Sequence, residues 1–527
     1  MIARPRRRSR WTPLVAALAA TLMAATACSS AVEEQGGGGN SASSGEVKEG
    51  GVLDVGTTVD LVPAAIFTNS NDTINTIIGQ VYDSLVDYPS DSLEPQPSLA
   101  KSWQLADDGL SLTLHLQDGV TYHSGRPFTS KDVEFSIKTW ADPAWTVQFQ
   151  RTAAAVTGFD TSDPNTVVLS FDHPLSNIFD LLDVMPIIDQ DTFADLKTGK
   201  AYVGTGPFEF VSWTPQSEVV FKRNDDYWRN DVPLEGVDLH IVPDAQTLVS
   251  QLRSGQLDLI LGASNRDMET LAKSGQYDVL PFEGAERQTY VGTNVTNPAL
   301  KDVRVREAIA YALDRDRVVD EVYRGVGYPI VLPWPKYSPA YSEEQNAAFD
   351  RDIEKAKALV KQVGTIPTLP LEYSTANPNW EAIALIVQAN LKEVGINVEL
   401  KPNENAVQIE KLIGGKFEGL WMMDHAYAQW TPSTLAVTAY PFNADSNSSN
   451  YVDAGYKKDA DAAWTVPDGS SPEAVDKYKA VSSDLFDSQF LIEISATYME
   501  TAVGSYVHGV TWTKRSEVTL GDTWLDQ

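Results

Sequence analysis

The sequence predicts an α/β fold in which mixed sheets are covered by helices. From Gly50 onward, short apolar runs alternate with segments whose apolar side chains recur every three or four residues. Helix, glycine and strand follow one another as a unit several times, an order that favours strands packed under covering helices. No repeat with a period of roughly 20–50 residues is visible, so neither a solenoid nor a propeller is predicted.

The predicted strands are short and rich in Val, Ile, Leu and Thr. Residues 112–116 alternate apolar and polar side chains, and residues 166–171 are rich in β-branched ones. Further strands are predicted at residues 257–261, 396–400 and 417–421.

The predicted helices have recognisable ends. Asp244 and Asp302 each stand before an apolar stripe of helical spacing, where an N-cap side chain is expected. A third helix is predicted over residues 381–394, and Gly395 is its C-cap. Gly204 and Gly206, in a Gly-Thr-Gly-Pro-Phe run, are expected to set a turn rather than to contact a ligand.

Composition excludes several classes of protein. The chain has 527 residues, enough for two to four domains of about 100–200 residues. Its 72 Asp and Glu against 41 Lys and Arg give a net charge of −31, which repels nucleic-acid phosphates. A single cysteine excludes a disulfide framework and cysteine-built metal sites. Beyond the N-terminus, no run of about 18 apolar residues predicts a membrane-spanning helix.

The N-terminus predicts an export signal. Five arginines within residues 4–10 precede an uncharged, mostly apolar run over 14–27. The general secretory and twin-arginine routes both remain open. We predict a signal peptide over residues 1–27, followed by a Gly- and Ser-rich flexible tether over 28–47.

The cleavage site contains the only cysteine. The segment that ends in Ala25-Thr26-Ala27-Cys28 resembles a bacterial lipobox, although such boxes usually carry Leu where Ala25 stands. A lipid on Cys28 would hold the mature protein on the outer face of the cell membrane. The alternative is plain secretion, because Ala25 and Ala27 also fit ordinary signal peptidase cleavage.

Seven motifs occur in a fixed order along the rest of the chain. They are Gly50-Gly51, Tyr82-Asp83-Ser84-Leu85, Leu93-Glu94-Pro95 through Trp103, Asp108-Gly109 through Val133, Gly204 through Phe208, Tyr227-Trp228, and Val303-Arg304 through Arg315. In this order the chain resembles family 5 of the extracellular solute-binding proteins, the peptide and nickel receptors of ABC importers. The resemblance covers about residues 48–527.

The resemblance implies a periplasmic-binding-protein-like fold with two hinged lobes and an extra inserted domain. Domain I would comprise residues 48–78, 203–290 and 500–527, domain II residues 79–202, and domain III residues 291–499. The ligand would be enclosed between domains I and III and delivered to ABC permease subunits. We further expect a monomer without cofactor, bound metal or enzymatic activity.

A ligand site is predicted after the strand at 417–421, since ligands of open α/β sheets bind beyond the carboxyl ends of strands. In peptide-binding members, a Trp-x-x-Asp motif at this place supplies the carboxylate that holds the peptide's α-ammonium. Trp421 and Asp424 match it. The alternative is that Asp424 caps a turn. Further candidate ligand contacts are Met422, Tyr427, Trp430, Tyr498 and Trp145, for each of which core packing is the alternative.

The predicted ligand is a short peptide, and several other functions are alternatives. A saccharide or another amine-bearing solute would suit the same receptor class. Asp424-His425 suggests a metal, but neighbouring residues of an extended segment point to opposite faces. Ser98-x-x-Lys101 with Lys197-Thr198-Gly199 is similar to serine penicillin-recognising enzymes, but no Ser-x-Asn lies between the two motifs. A passive surface adhesin would use the tether equally well.

Overall fold

The computed structural model describes residues 47–67, 72–145 and 149–526. The predicted signal peptide, Cys28 and all but the last residue of the predicted tether lie outside the described residues. Within the described ranges, no helix is both long and apolar enough to cross a bilayer. The predicted mixed α/β class is confirmed.

The first sheet has seven strands and is assembled from distant parts of the chain. Val52–Thr57 lies near its centre and runs parallel to both of its neighbours, whereas the remaining pairs are antiparallel. In spatial order the strands are Tyr277–Pro281, Glu500–Gly504, Leu259–Leu261, Val52–Thr57, Gly236–Ile241, Glu218–Arg223 and Phe208–Thr214.

The second sheet has six strands. In the sequence they follow every strand of the first sheet except Glu500–Gly504. Its centre is antiparallel, and parallel pairs join Leu369–Ser374 to both of its neighbours. In spatial order the strands are Tyr328–Pro329, Leu491–Thr497, Arg287–Thr293, Leu420–His425, Leu369–Ser374 and Val398–Asn403.

A smaller antiparallel sheet of four strands is built from residues 100–171 alone. Its strands, in spatial order, are Ala100–Leu105, Ser111–Leu116, Thr166–Phe171 and Val156–Asp163. Short two-stranded pairs complete the β-structure: Val86–Asp87 with Gln96–Pro97, Val507–His508 with Trp524–Leu525, and Thr511–Trp512 with Val518–Thr519.

The helices cover these sheets and begin at the predicted caps. The Asp244 side chain accepts a hydrogen bond from Thr247 N, and that of Asp302 accepts one from Arg304 N. The α-helices are Asp72–Val81, Ser130–Ala141, Gln150–Ala154, Ile178–Val184, Phe193–Leu196, Ala245–Ser254, Asn265–Ser274, Val303–Ala312, Arg315–Glu321, Glu343–Ala347, Ile353–Val363, Pro378–Glu393, Asn405–Gly414, Pro432–Thr438, Ala454–Trp464 and Pro472–Ser488, with short 3₁₀ turns at Pro63–Ala65 and Tyr427–Gln429.

One strand lies further along the chain than predicted. The sequence predicts a strand over 417–421, whereas the strand runs from Leu420 to His425. The antiparallel partner Arg287–Thr293 pairs with every residue of it and keeps the segment extended. Phe417 precedes the strand and stacks on Trp421 with ring centroids 4.6 Å apart. Asp424 therefore lies inside the strand rather than beyond its end.

The chain crosses between the seven-stranded and six-stranded sheets at two adjacent places. Residues 282–286 join Tyr277–Pro281 to Arg287–Thr293, and residues 498–499 join Leu491–Thr497 to Glu500–Gly504. Buried apolar side chains form one large cluster around the seven- and four-stranded sheets and another around the six-stranded sheet. Most of the core of each body is thus its own, although Trp430, Val437 and Trp464 of the six-stranded body join the first cluster, and two short connections link the bodies.

Candidate functional site

A cavity of about 280 Å³ opens where the six-stranded sheet meets the helix Asp72–Val81 and the C-terminal segment. Its walls come from parts of the chain that are far apart in sequence. Residues that line it are Ile66, Phe67, Asn75, Ile78, Trp140, Val184, Arg287, Ile409, Asp424, His425, Ala426, Tyr427, Gln429, Trp430, Arg515, Ser516 and Glu517.

Strand pairing places a carboxylate and a guanidinium on one face of the six-stranded sheet. Asp424 lies directly opposite Thr289 in the antiparallel pair, and Arg287 lies two residues before Thr289. Side chains two residues apart on a strand point to the same face, so Arg287 is a diagonal neighbour of Asp424. Both side chains are half-buried and line the cavity.

These two opposite charges are not paired with each other. Within the described residues, neither the carboxylate of Asp424 nor the guanidinium of Arg287 makes a side-chain hydrogen bond or an ion pair within 4.0 Å. Arg287 also acts on Asp72, whose pKa is raised by burial and lowered in part by the Arg287 charge. The cavity therefore presents one anionic and one cationic group to a ligand.

The opposite wall carries a charge pair that is already satisfied. The Arg515 guanidinium lies 2.5 Å from the Glu517 carboxylate, and both side chains are largely buried. Arg515 also donates a hydrogen bond to the carbonyl oxygen of Val184. This pair shapes the wall and adds no net charge to it.

Aromatic rings form the apolar part of the cavity. Phe67 and Trp140 lie with ring centroids 6.2 Å apart. Trp430 packs edge-on against Phe149, and its indole N–H donates to the Asp183 carboxylate at 3.3 Å. Such walls accept varied apolar side chains without requiring one hydrogen-bond pattern.

The structure brings together three of the seven side chains predicted to contact a ligand. Asp424, Tyr427 and Trp430 line the cavity. Trp421 and Met422 are fully buried in the core behind it.

The two remaining candidates lie at its margins. Trp145 packs on Phe193 and on the cavity residue Phe67, with centroids 4.2 and 6.3 Å away, and so supports the wall from behind. Tyr498 lies in the second crossing between the sheets, 6.5 Å from the ring of Tyr328.

Arg287 is the main cavity residue that the sequence analysis misses. It precedes Asp424 by more than a hundred residues and belongs to none of the recognised motifs. Trp140, Arg515 and Glu517 were missed for the same reason. No local signal marks them, because only the pairing of distant strands and segments brings them to the cavity.

The side-chain contacts give little support to the two alternatives of a penicillin-recognising enzyme and a metal site. Ser98 is buried and its hydroxyl accepts a hydrogen bond from Arg229 at 2.6 Å, while Lys101 pairs with Asp118 at 2.5 Å. His425 is bonded to Glu493 at 3.1 Å, both side chains being buried. No group of three or more His, Cys, Asp or Glu in the described residues is arranged to hold a metal ion.

Fold and cavity together define a solute-binding protein, and the comparisons with known proteins agree. Residues 94–450 match the bacterial extracellular solute-binding proteins, family 5. The match covers more than half of the chain, which therefore belongs to this family. The resemblance predicted from the motifs is confirmed.

Several individual proteins are similar to this chain. Heme-binding protein A of Haemophilus influenzae is 28% identical over 370 residues, which cover 63% of this chain and 66% of that protein. Di/tripeptide-binding protein 1 of Pseudomonas aeruginosa is 27% identical over 434 residues, 75% of this chain and 79% of that protein.

A solved structure shows the same fold. The ABC transporter substrate-binding protein CtaP of Listeria monocytogenes superposes with a TM-score of 0.80 at 23% identity, covering 91% of this chain and 100% of that one. The predicted two-lobed periplasmic binding fold is thus confirmed.

Proposed function

We propose that this protein captures a short peptide in the cavity beside Asp424 and delivers it to the permease of an ABC importer. One observation carries the proposal: Asp424 and Arg287 face the same small cavity, and neither is paired with the other. A peptide is a zwitterion with an ammonium at one end and a carboxylate at the other. Its two ends complement these two side chains.

The chemistry of each side chain suits one end of a peptide. An ammonium group has three donors, and a partly desolvated carboxylate such as that of Asp424 accepts them well. A guanidinium presents a planar pair of donors that matches a carboxylate, so Arg287 suits the C-terminal end. The aromatic wall at Trp430 would cover apolar side chains.

The size of the cavity favours a small ligand. Its volume of about 280 Å³ lies near the lower end of ligand pockets, which span roughly 300–1,000 Å³. The name of the Pseudomonas relative, a di/tripeptide-binding protein, supports the same ligand class. The Haemophilus relative is named for haem, so identification of co-purified small molecules would be an informative first measurement.

The decisive experiment replaces Asp424 with Asn, which keeps the shape and removes the charge. Loss of a buried charge partner costs about 2–5 kcal/mol, so affinity for a free di- or tripeptide should fall roughly 30-fold or more. An N-acetylated peptide should bind the wild type poorly and lose little more in Asp424→Asn. Isothermal titration calorimetry on the full mature chain gives both affinities.

Two controls make the result specific. Asp476→Asn removes an exposed carboxylate on the helix Pro472–Ser488 and should leave peptide affinity unchanged. Arg287→Gln should reduce the affinity for a free peptide more than the affinity for a C-amidated peptide. Equal losses for free and acetylated peptides in Asp424→Asn would make Asp424 structural. Unchanged affinity for the free peptide would favour a saccharide or another amine-bearing solute.

We further propose that the receptor is a monomer held at the outer face of the cell membrane by a lipid on Cys28. The motivation is the apolar run that ends at the only cysteine. Cys28→Ser should release the protein into the medium, because one site would carry the whole anchor. Fractionation with an antibody tests this, with signal cleavage checked by mass. A cleaved Cys28→Ser protein that stays with the membrane would contradict lipid anchoring.

The two lobes of the proposed receptor follow the sheets. All strands of the seven-stranded sheet lie within residues 48–78, 203–290 and 500–527. The same ranges also contain the first residues of Arg287–Thr293, which is a strand of the six-stranded sheet. Residues 79–202 contain the four-stranded sheet, and residues 291–499 contain the rest of the six-stranded sheet. We propose that the crossings at 282–286 and 498–499 act as the hinge.

A further inference from the structure

A second, larger cavity lies between the four-stranded sheet and the loops of the six-stranded body. Its volume is about 660 Å³, more than twice that of the cavity beside Asp424, and the two cavities share none of the residues that line them. One side is built from residues 88–105 and 175–179, and the other from residues 339, 431 and 467–470. The ligand proposed above makes no use of it.

The walls of this cavity are mostly apolar and partly aromatic. Trp103 and Phe179 lie side by side with ring centroids 5.5 Å apart, and both are half-buried. Leu93 and Leu105 are also only half-buried. A large cavity with half-exposed aromatic and aliphatic walls is suited to an apolar ligand body.

The charge around this cavity has a single sign. Glu94 and Asp468 lie at its edge, both exposed, and none of the described residues that line it is Lys, Arg or His. The Glu94 carboxylate makes no hydrogen bond or ion pair with another described residue. The Asp468 carboxylate accepts from Ser470 N at 2.8 Å and from the Ser470 hydroxyl at 2.7 Å through one oxygen. The edge therefore attracts a cation.

We propose that this cavity is a second ligand site for a cation with an apolar body, an aromatic or alkyl ammonium compound. The apolar part would pack against Leu93 and Leu105. The cationic end would lie near Glu94 and over the face of an aromatic ring, where an ammonium group is attracted by the ring's negative face. An anionic ligand would find no cationic side chain among the described residues that line these walls.

A matched pair of probes tests the charge requirement. Benzyltrimethylammonium and neopentylbenzene have nearly the same shape and differ by one positive charge. Saturation-transfer NMR on the full mature chain should show benzyltrimethylammonium binding about threefold or more tightly than its neutral isostere, and its affinity should fall as salt is added. Equal binding of the two probes, or no binding of the cation, would overturn the proposal.

Two variants locate the bound probe. Ser470→Trp fills the cavity from an exposed position and should reduce affinity about tenfold or more. Its matched control is Ser483→Trp, at an exposed position on the helix Pro472–Ser488 that does not line this cavity. Glu94→Gln should lower the affinity for benzyltrimethylammonium about two- to fivefold. Glu399→Gln, which also removes an exposed carboxylate, should leave that affinity unchanged.

The same titration separates this site from the peptide cavity. Asp424→Asn should leave benzyltrimethylammonium affinity unchanged, because Asp424 does not line the second cavity. Loss of the probe in Asp424→Asn with retention in Ser470→Trp would place the cation beside Asp424 and overturn the second site. Failure of the peptide proposal would instead appear only in peptide affinities.

Discussion

At the scale of single residues, Asp180 is the buried charge with the most contacts across the boundary between the four-stranded and six-stranded bodies. It is fully buried in the helix Ile178–Val184. Its carboxylate accepts hydrogen bonds from the hydroxyls of Tyr88, Thr431 and Thr434 at 2.9, 2.9 and 2.6 Å. Burial nevertheless raises the pKa of Asp180 to about 6, and the hydroxyl donors only partly oppose this. Folding therefore favours the protonated form of this side chain.

The sign of the resulting pH dependence follows from the raised pKa. An unfolded Asp titrates near about 3.9, so between about pH 4 and pH 6 the folded chain holds more protons at Asp180 than the unfolded chain does. The contribution of Asp180 to the free energy of unfolding is largest below this window. It falls as the pH rises through it, by on the order of 2–3 kcal/mol.

The variant Asp180→Asn should remove this dependence while the rotating Thr hydroxyls adapt to the amide. Urea unfolding of wild type and variant at pH 4 and pH 7 provides the comparison. The free energy of unfolding of the variant, relative to that of wild type, should be larger at pH 7 than at pH 4. The other carboxylates are present in both proteins, so their contributions cancel in this comparison. An Asp107→Asn control accounts for the loss of one exposed negative charge. Parallel pH profiles for wild type and Asp180→Asn would contradict the assignment.

At the scale of elements, the strand that contains Asp424 was predicted, but its bounds were shifted. Asp424 of the Trp421-x-x-Asp424 motif lines a cavity, and its role in binding a ligand stays a prediction. A strand was predicted at 417–421 because apolar residues follow the glycines at 414–415 there, in the helix–glycine–strand order of the other units. The true bounds depend on the partner strand Arg287–Thr293, and pairing between distant segments is not visible in local pattern.

Helix caps were predicted from a few neighbouring residues. The predicted helix over 381–394 is observed at Pro378–Glu393, and Gly395 follows it with a φ of +89°. A cap acts within one turn of the chain, so the few residues around it suffice to predict it.

The Gly-Thr-Gly-Pro-Phe run has a structural role that the sequence indicated without giving its reason. A Cβ on Gly204 would lie 2.0 Å from the carbonyl oxygen of Val81, and one on Gly206 would lie 2.6 Å from that of Gln80. The segment passes directly under the end of the helix Asp72–Val81. Only glycine permits this approach of two backbones.

At the scale of the whole molecule, the interleaving of the chain could not be predicted from the sequence. The seven-stranded sheet takes strands from residues 52–57 and from residues 500–504, with most of the molecule between them. Hydrophobic pattern predicts that strands exist, but the order in which they pair depends on packing among all of them. The family resemblance implied a domain I assembled from distant segments, which composition and periodicity could not indicate.

Several hydrogen bonds between buried side chains cross the boundary between the four-stranded and six-stranded bodies. Ser176 contacts Ser433 at 2.8 Å, and the Asn177 amide donates to the Thr434 hydroxyl at 2.9 Å. These side chains are buried. Water can replace such hydrogen bonds when the surfaces separate, whereas separation of an apolar surface of equal area would be costly. These hydrogen bonds therefore add little to the cost of separating the two bodies.

If the crossings at 282–286 and 498–499 form a hinge, a bound ligand should stabilise the closed arrangement, because its contacts come from both sides of the cavity. Small-angle X-ray scattering should then show a smaller radius of gyration when a short peptide is added to saturation. Trp140 and Trp430 line the cavity, so tryptophan fluorescence should change over the same concentration range. At that peptide concentration, Asp424→Asn should remain expanded, because it binds too weakly to pull the lobes together. A peptide that saturates the wild type without any change in scattering would instead show that the cavity is preformed and that the two crossings do not bend.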